Sequence, residues 1–177
     1  MIEDPSRRAL LCAGLAVALL AACREAAKAV QAQDFTQATT CALDGMVLAD
    51  YPGPKGQIQY DTGPPDFYCD TVEMLAMLLR PEQKKRVAAA YTQDMAKANW
   101  MEPRGHWIDA RTALYVQGSK LRGSMGPTLA SFASVGDAQA FAGKNGGKVL
   151  RFDEITVDMV SLDGGVIRDE HLSGDRR

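Results

Sequence analysis

The chain has 177 residues, with 20 Lys and Arg against 22 Asp and Glu and a formal charge of −2. Charges of both signs are evenly mixed, which excludes the basic surface that nucleic acids or other polyanions require. Among its four cysteines and eight methionines, the thiol of Cys41 and the thioether of Met46 lie five residues apart, and soft donors of this kind favour monovalent copper over zinc, magnesium or calcium.

The N-terminus reads as an export signal rather than as part of a fold. Ser6-Arg7-Arg8 precedes an apolar run over residues 9–20 that ends in Leu20-Ala21-Ala22-Cys23, the order of basic, apolar and small-residue regions in a secreted precursor. At about a dozen residues the run is short of the roughly twenty that a membrane span needs, which disfavours an uncleaved inner-membrane helix. Leu-Ala-Ala-Cys is similar to the lipobox of bacterial lipoproteins. It predicts a signal peptide over residues 1–22 and a lipidated Cys23 that holds the chain on a membrane surface. Cys12 leaves with the signal, so Cys41 and Cys69 are the remaining thiols. In an oxidising compartment they either form a disulfide or are kept for chemistry. Residues 23–40 lack an apolar face and are expected to be a tether.

Cys41-Ala-Leu-Asp-Gly-Met46 comes next, directly before Asp50-Tyr-Pro-Gly-Pro-Lys55. Pro-Gly-Pro fits neither a helix nor a central strand, so this stretch reads as a site loop. Two copies of one pattern follow. The first, within residues 41–100, has strands at 57–60 and 66–69, a helix at 71–79 and a strand at 87–91. Asp70 or Thr71 caps that helix, with Glu73 close behind. The second, within residues 101–160, opens on a linker that carries both tryptophans and His106. It continues with strands at 113–116 and 129–132, a helix at 137–142 opened by Gly136-Asp137, and a strand at 149–152. The expected fold is α+β: two similar strand-strand-helix-strand units packed around an inter-unit cleft. Residues 161–177, rich in Gly, Asp and Arg, are expected to be a flexible tail.

Cys41-x-x-x-Gly-Met46, the Asp50–Lys55 turn, Gln93-Asp-Met95, Gly105-His-Trp-Ile-Asp-Ala-Arg111, Ser124-Met-Gly126 and Gly146-Gly-Lys-Val-Leu-Arg-Phe152, behind a lipobox, together resemble the NosL family of copper-binding accessory lipoproteins. The resemblance covers nearly the whole mature chain in order. It implies two strand-strand-helix-strand units and one Cu(I) per chain. It also implies delivery of that copper toward nitrous oxide reductase through an ABC-type maturation complex. Many members carry Cys-x-x-Cys-Gly-Met; here Asp44 takes the second cysteine's place, and a carboxylate is a poor partner for Cu(I).

Six residues are candidate ligands. Met46 follows a glycine that lets the backbone present its thioether, and the family's methionine falls there. Met125, in Arg122-Gly-Ser-Met-Gly-Pro127, has no apolar sequence neighbours to pack against. Cys41 and Asp44 share the loop of Met46, and Cys69 ends an apolar strand, where an inert core thiol is the competing reading. His106 can serve either oxidation state of copper or simply bond to Asp109 or Arg104. Met95 is a lesser candidate. Met74 and Met77 have the spacing of a core stripe, and Lys55, Asp109 and Arg111 are expected to hold loops through ion pairs or to offer a docking surface. The leading reading is a periplasmic carrier that is no enzyme, anchored more on the outer than the inner membrane. The competing ones are a thiol-dependent enzyme using Cys41 or Cys69 and a scaffolding lipoprotein without metal.

Overall fold

A computed structural model describes residues 30–80 and 85–162. The expected signal peptide, Cys23 and the tail beyond residue 162 lie outside the described residues.

The first sheet is antiparallel with the strand order β2-β1-β3-β4, formed by β1 (Gly56–Tyr60), β2 (Asp66–Tyr68), β3 (Val87–Gln93) and β4 (Trp107–Asp109). Helix α1 (Thr71–Leu78) connects β2 to β3. The second sheet has the order β8-β5-β9, from β5 (Leu114–Gln117), β8 (Ala130–Phe132) and β9 (Lys148–Arg151), with α2 (Val135–Asn145) between β8 and β9. In both units the first strand is central and pairs antiparallel with the other two. A small hairpin of β6 (Arg122–Gly123) and β7 (Gly126–Pro127) interrupts the second unit.

β1 is buried at every position. On the face toward α1, Gly56 leaves room for the helix: a Cβ built there would lie 2.5 Å from the Cβ of Met74. Met74 and Leu75 are fully buried beneath it. On the other face stand Gln57 and Gln59, whose amides must find partners once removed from water. They find them in residues 30–35. The Gln33 amide donates to Gln57 Oε1 at 2.9 Å, and Gln57 Nε2 donates back to the Gln33 carbonyl at 2.8 Å. Phe35 is buried, edge-on to Trp107 and beneath the Arg104 guanidinium. The expected tether is corrected here: residues 30–40 belong to the fold, because their backbone pairs with buried glutamines and Phe35 fills a core position.

Both helices begin where a side chain accepts a free backbone amide. Asp70 accepts from Val72 at 2.9 Å. In α2 the cap is Ser134, which accepts from Asp137 at 3.1 Å, so the helix starts before the expected Gly136-Asp137. It runs on to Asn145, where Gly146 at φ +76° ends it.

The two units meet along a buried polar seam between β3 and β8. Ser131 Oγ donates to the Gln93 carbonyl at 2.7 Å, and the Met95 amide donates to the Ser131 carbonyl at 2.9 Å. Thr128 donates to Asp70 Oδ1 at 2.7 Å, and Thr71 donates to the Leu129 carbonyl at 2.6 Å. The first contacts of α1 are therefore made with the other unit, and this fixes the end of the helix beside which the candidate site lies.

Candidate metal centre

Four side chains converge at the N-terminal end of α1. Cys41 and Asp44 come from the loop ahead of β1, Cys69 from the residue after β2, and Glu73 from the first turn of α1. Their donor atoms all lie within 4.8 Å of one another. One carboxylate oxygen serves both thiols: Cys41 Sγ donates to Glu73 Oε2 at 3.2 Å and Cys69 Sγ donates to the same atom at 3.1 Å. Asp44 Oδ2 lies 3.8 Å from Cys69 Sγ. Cys41, Cys69 and Glu73 are buried, while Asp44 is exposed at the rim. Both cysteines are free thiols, not a disulfide.

Local structure explains the convergence. The 41–46 loop closes on itself through Cys41 N–H to the Met46 carbonyl at 2.8 Å and Gly45 N–H to the Cys41 carbonyl at 3.0 Å. Gly45 adopts φ +78° to make that turn, a conformation that costs glycine little. Asp44 Oδ1 accepts from the Met46 amide at 2.9 Å, which leaves its second oxygen directed at the thiols. The loop is fastened to β2 by Ala42 N–H to the Phe67 carbonyl at 2.8 Å. Behind Cys69, the buried Lys55 ammonium donates to the carbonyls of Tyr51, Pro52 and Cys69 at 2.9, 3.0 and 3.0 Å. Lys55 thus holds its loop through backbone carbonyls, not through the ion pair expected of it. Ser124, in the turn of the β6–β7 hairpin, donates to the Cys69 carbonyl at 2.9 Å and sits 3.2 Å from its sulfur.

Burial works against charge here. Desolvation pushes the Glu73 carboxyl up to about 8 and Asp70 up to about 6, and it draws Lys55 down to about 8. The two thiols titrate as a coupled pair. The hydrogen bond from Cys69 lowers Cys41 to about 6, and the same bond, together with burial, pushes Cys69 upward. One thiolate forms readily and the second is strongly resisted, so a cation bound between the sulfurs is what would allow both to ionise.

The other candidates fall at different distances from this cluster. Met46 closes the same loop and is half-buried against the main core. Met125 is 50% exposed beside Ser124, at the tip of the hairpin that touches Cys69. His106 is exposed, at φ +54°, with its carbonyl accepting from the Asp94 amide at 2.8 Å, and it is not part of the four-residue group. Met95 and Met74 are buried in the two hydrophobic clusters, and Met77 packs against the first. Two participants were missed by sequence reasoning, Glu73 and Ser124. Glu73 could not be read from spacing, because Cys69 lies ahead of the helix and its cap, where the i, i+4 rule does not hold.

Fold and site together define a small α+β protein of two repeated units that offers a buried thiol–carboxylate cluster of metal-ligating donors. The sequence profile of the NosL family matches residues 32–160, and the chain belongs to that family. It is 48% identical over 122 residues to the copper-binding lipoprotein NosL of Stutzerimonas stutzeri, covering 68% of this chain and 64% of that one, slightly less than two thirds of the relative's length. It is 40% identical over 151 residues to the copper-binding lipoprotein NosL of Achromobacter cycloclastes, covering 82% and 78% of the two chains. Among solved structures, the crystal structure of the copper chaperone NosL from Shewanella denitrificans superposes with a TM-score of 0.68 at 41% identity, over 71% of this chain and 96% of that one.

Proposed function

We propose that this protein is a lipid-anchored periplasmic copper carrier that holds one Cu(I) between Cys41 and Cys69. The observation that carries the reading is the pair of buried thiols sharing one oxygen of Glu73. Two thiolates suit a soft monovalent ion, and its positive charge between them offsets part of the penalty that opposes the second ionisation. Met46, on the loop of Cys41, and Met125, at the exposed hairpin tip, add a further soft ligand during loading or release in this reading. A site completed by few soft donors leaves a position through which an acceptor's ligand can enter, as transfer requires. The family names of the relatives support copper as the cargo. The acceptor fits the resemblance: nitrous oxide reductase, reached through an ABC-type maturation complex. Cys23 supplies the anchor, with the outer membrane favoured over the inner.

One observation favours a second reading. A thiol lowered to about 6, as Cys41 is, is what nucleophilic catalysis also needs. Yet Cys41 is only 3% exposed, which suits the holding of an ion better than attack on a bulky substrate. Titration of the reduced mature chain with Cu(I) against a competing chelator separates the two. The carrier reading expects saturation at one equivalent, with Cys41→Ser and Cys69→Ser each weakening binding by more than the roughly 10–100-fold that loss of an outer-shell partner costs. Weak binding that neither substitution changes overturns it, and thiol-dependent activity that survives removal of copper would favour the enzyme.

A further inference from the structure

The chain enters the fold at one end of the first sheet, and that end carries exposed cations to which neither the site nor the seam gives a role. On the face of β1 away from α1, Gln33 pairs with Gln57, and two residues earlier the Gln31 carbonyl accepts from Gln59 Nε2 at 3.5 Å. The Val30 carbonyl then accepts from the Tyr91 hydroxyl. Traced from Phe35 back to Val30, the segment therefore runs from the Gly56 end of β1 toward its Tyr60 end. The thiol cluster lies at the Gly56 end: Gly56 pairs with Tyr68, and Cys69 and the start of α1 follow directly. The seam with the second unit, at Gln93, Asp70 and Thr71, is at that end as well. At the Tyr60 end stand Arg80, just past α1, and Lys85 and Arg86, just ahead of β3. Tyr60 pairs there with Val87, and the Asp61 amide donates to the Arg86 carbonyl at 3.2 Å. The length of β1 from Gly56 to Tyr60 puts about 13 Å between the two ends.

Seven steps of chain join Val30 to Cys23, a reach of at most about 25 Å, so a lipid on Cys23 keeps this domain close to the membrane surface. The cations decide which end turns to it. Arg80, Lys85 and Arg86 are all exposed. Lys85 lies 3.8 Å from Asp66 Oδ2 and 4.5 Å from the centre of the Tyr60 ring, and Arg86 lies 3.3 Å from Asp61 Oδ2. Ion pairs this exposed to water are worth little, so lipid phosphates can compete for both side chains. A surface of anionic lipid attracts each Lys or Arg that reaches it. We propose that the mature chain rests on anionic phospholipid headgroups through Arg80, Lys85 and Arg86, with the thiol cluster turned away from the membrane. The metal site is then presented to the compartment, where a partner reaches it, and not to the lipid. The inference rests on the lipid-anchor reading of Cys23, whatever ion the thiols hold.

The test places the lipidated mature chain on vesicles of phosphatidylcholine and phosphatidylglycerol, with phosphatidylcholine vesicles and the lipid-free mature chain as comparisons. Acetylation of lysines, followed by mass spectrometry, reports which end is covered. Lys85 and Lys97 have equally exposed side chains, at 63% and 62%, and Lys97 follows β3 at the opposite end of the sheet. On the anionic vesicles Lys85 is expected to react at least about fivefold more slowly than in the lipid-free chain, while Lys97 and Lys144 stay within about twofold. The protection should fade on phosphatidylcholine alone, and also in the double variant Arg80→Gln, Arg86→Gln, whose substitutions lie on the surface away from the thiols. Lys85 that reacts equally in both forms, Lys97 slowed as much as Lys85, or protection unchanged in the variant would each overturn the proposal. A chain that fails to float with the vesicles overturns the lipid-anchor reading, whereas one that floats with Lys85 unprotected overturns the orientation alone.

Discussion

Replacing Gly123 with Ala tests how the second unit holds the site of the first. A Cβ at this position would lie 2.1 Å from Asp70 Oδ2 and 2.9 Å from Thr128 Cβ. Asp70 is buried, and its other oxygen accepts from Val72 at 2.9 Å and from Thr128 at 2.7 Å. Moving the carboxylate aside sacrifices the cap of α1, about 1 kcal/mol, and breaks the charge-assisted bond from Thr128, about 1–3 kcal/mol, which leaves that hydroxyl only its contact with Thr71 at 3.1 Å. The expected loss is about 2–4 kcal/mol, which for a domain of this size lowers the melting temperature by on the order of 10 °C. Thermal unfolding followed by circular dichroism reads this directly. In an Asp70→Ala background the added methyl has no carboxylate to displace, so the two substitutions should be clearly non-additive. Cys69 and Glu73 flank Asp70, so Gly123→Ala should also weaken copper binding. A melting temperature that moves by less than about 2 °C, or strict additivity with Asp70→Ala, would refute this account of the seam.

Three further outcomes are expected. Phe35→Ala should cost about 3–5 kcal/mol, because the ring is buried against Trp107; chemical denaturation measures it, and a loss below 1 kcal/mol would return residues 30–40 to the status of a tether. Lys55→Met leaves three carbonyls without their donor and should destabilise by about 3 kcal/mol or more, with faster alkylation of Cys69 as the local readout. Glu73 makes stability pH-dependent. Its folded pKa is raised from 4.5 to about 8, so the folded state binds the extra proton in that window. The stability that protonation supplies is present in full below pH 4.5 and is lost as pH rises toward 8. Denaturation of the metal-free protein across this range should show that decline relative to Glu73→Gln, and parallel curves would contradict it.

Much of the fold was readable because local chemistry and tertiary context agreed. Asp70 is one of the two caps that the sequence offered, and both strand-strand-helix-strand units appear with central first strands. Strand β4 was hidden in the apparent linker, since three residues, Trp107–Asp109, carry too little periodicity to be distinguished from loop. The β6–β7 hairpin was hidden for the same reason. Residues 30–40 misled because, apart from Phe35, their partners are the amides of Gln57 and Gln59, and a hydrophobicity pattern cannot show a polar pairing twenty-odd residues away. At the candidate site, Cys41, Asp44 and Cys69 were legible as donor types. Their meeting at Glu73 depended on how β2 delivers Cys69 to the start of α1, which is a property of the fold rather than of spacing.

The central claim is that both buried thiols bind the same copper ion. X-ray absorption at the copper edge of the Cu(I)-loaded mature protein measures this directly, by counting sulfur neighbours in the wild type and in Cys69→Ser. The account predicts at least two sulfur neighbours in the wild type and one fewer in the variant. An identical copper environment in both proteins, with Cys69 still open to alkylation in the loaded wild type, would contradict it.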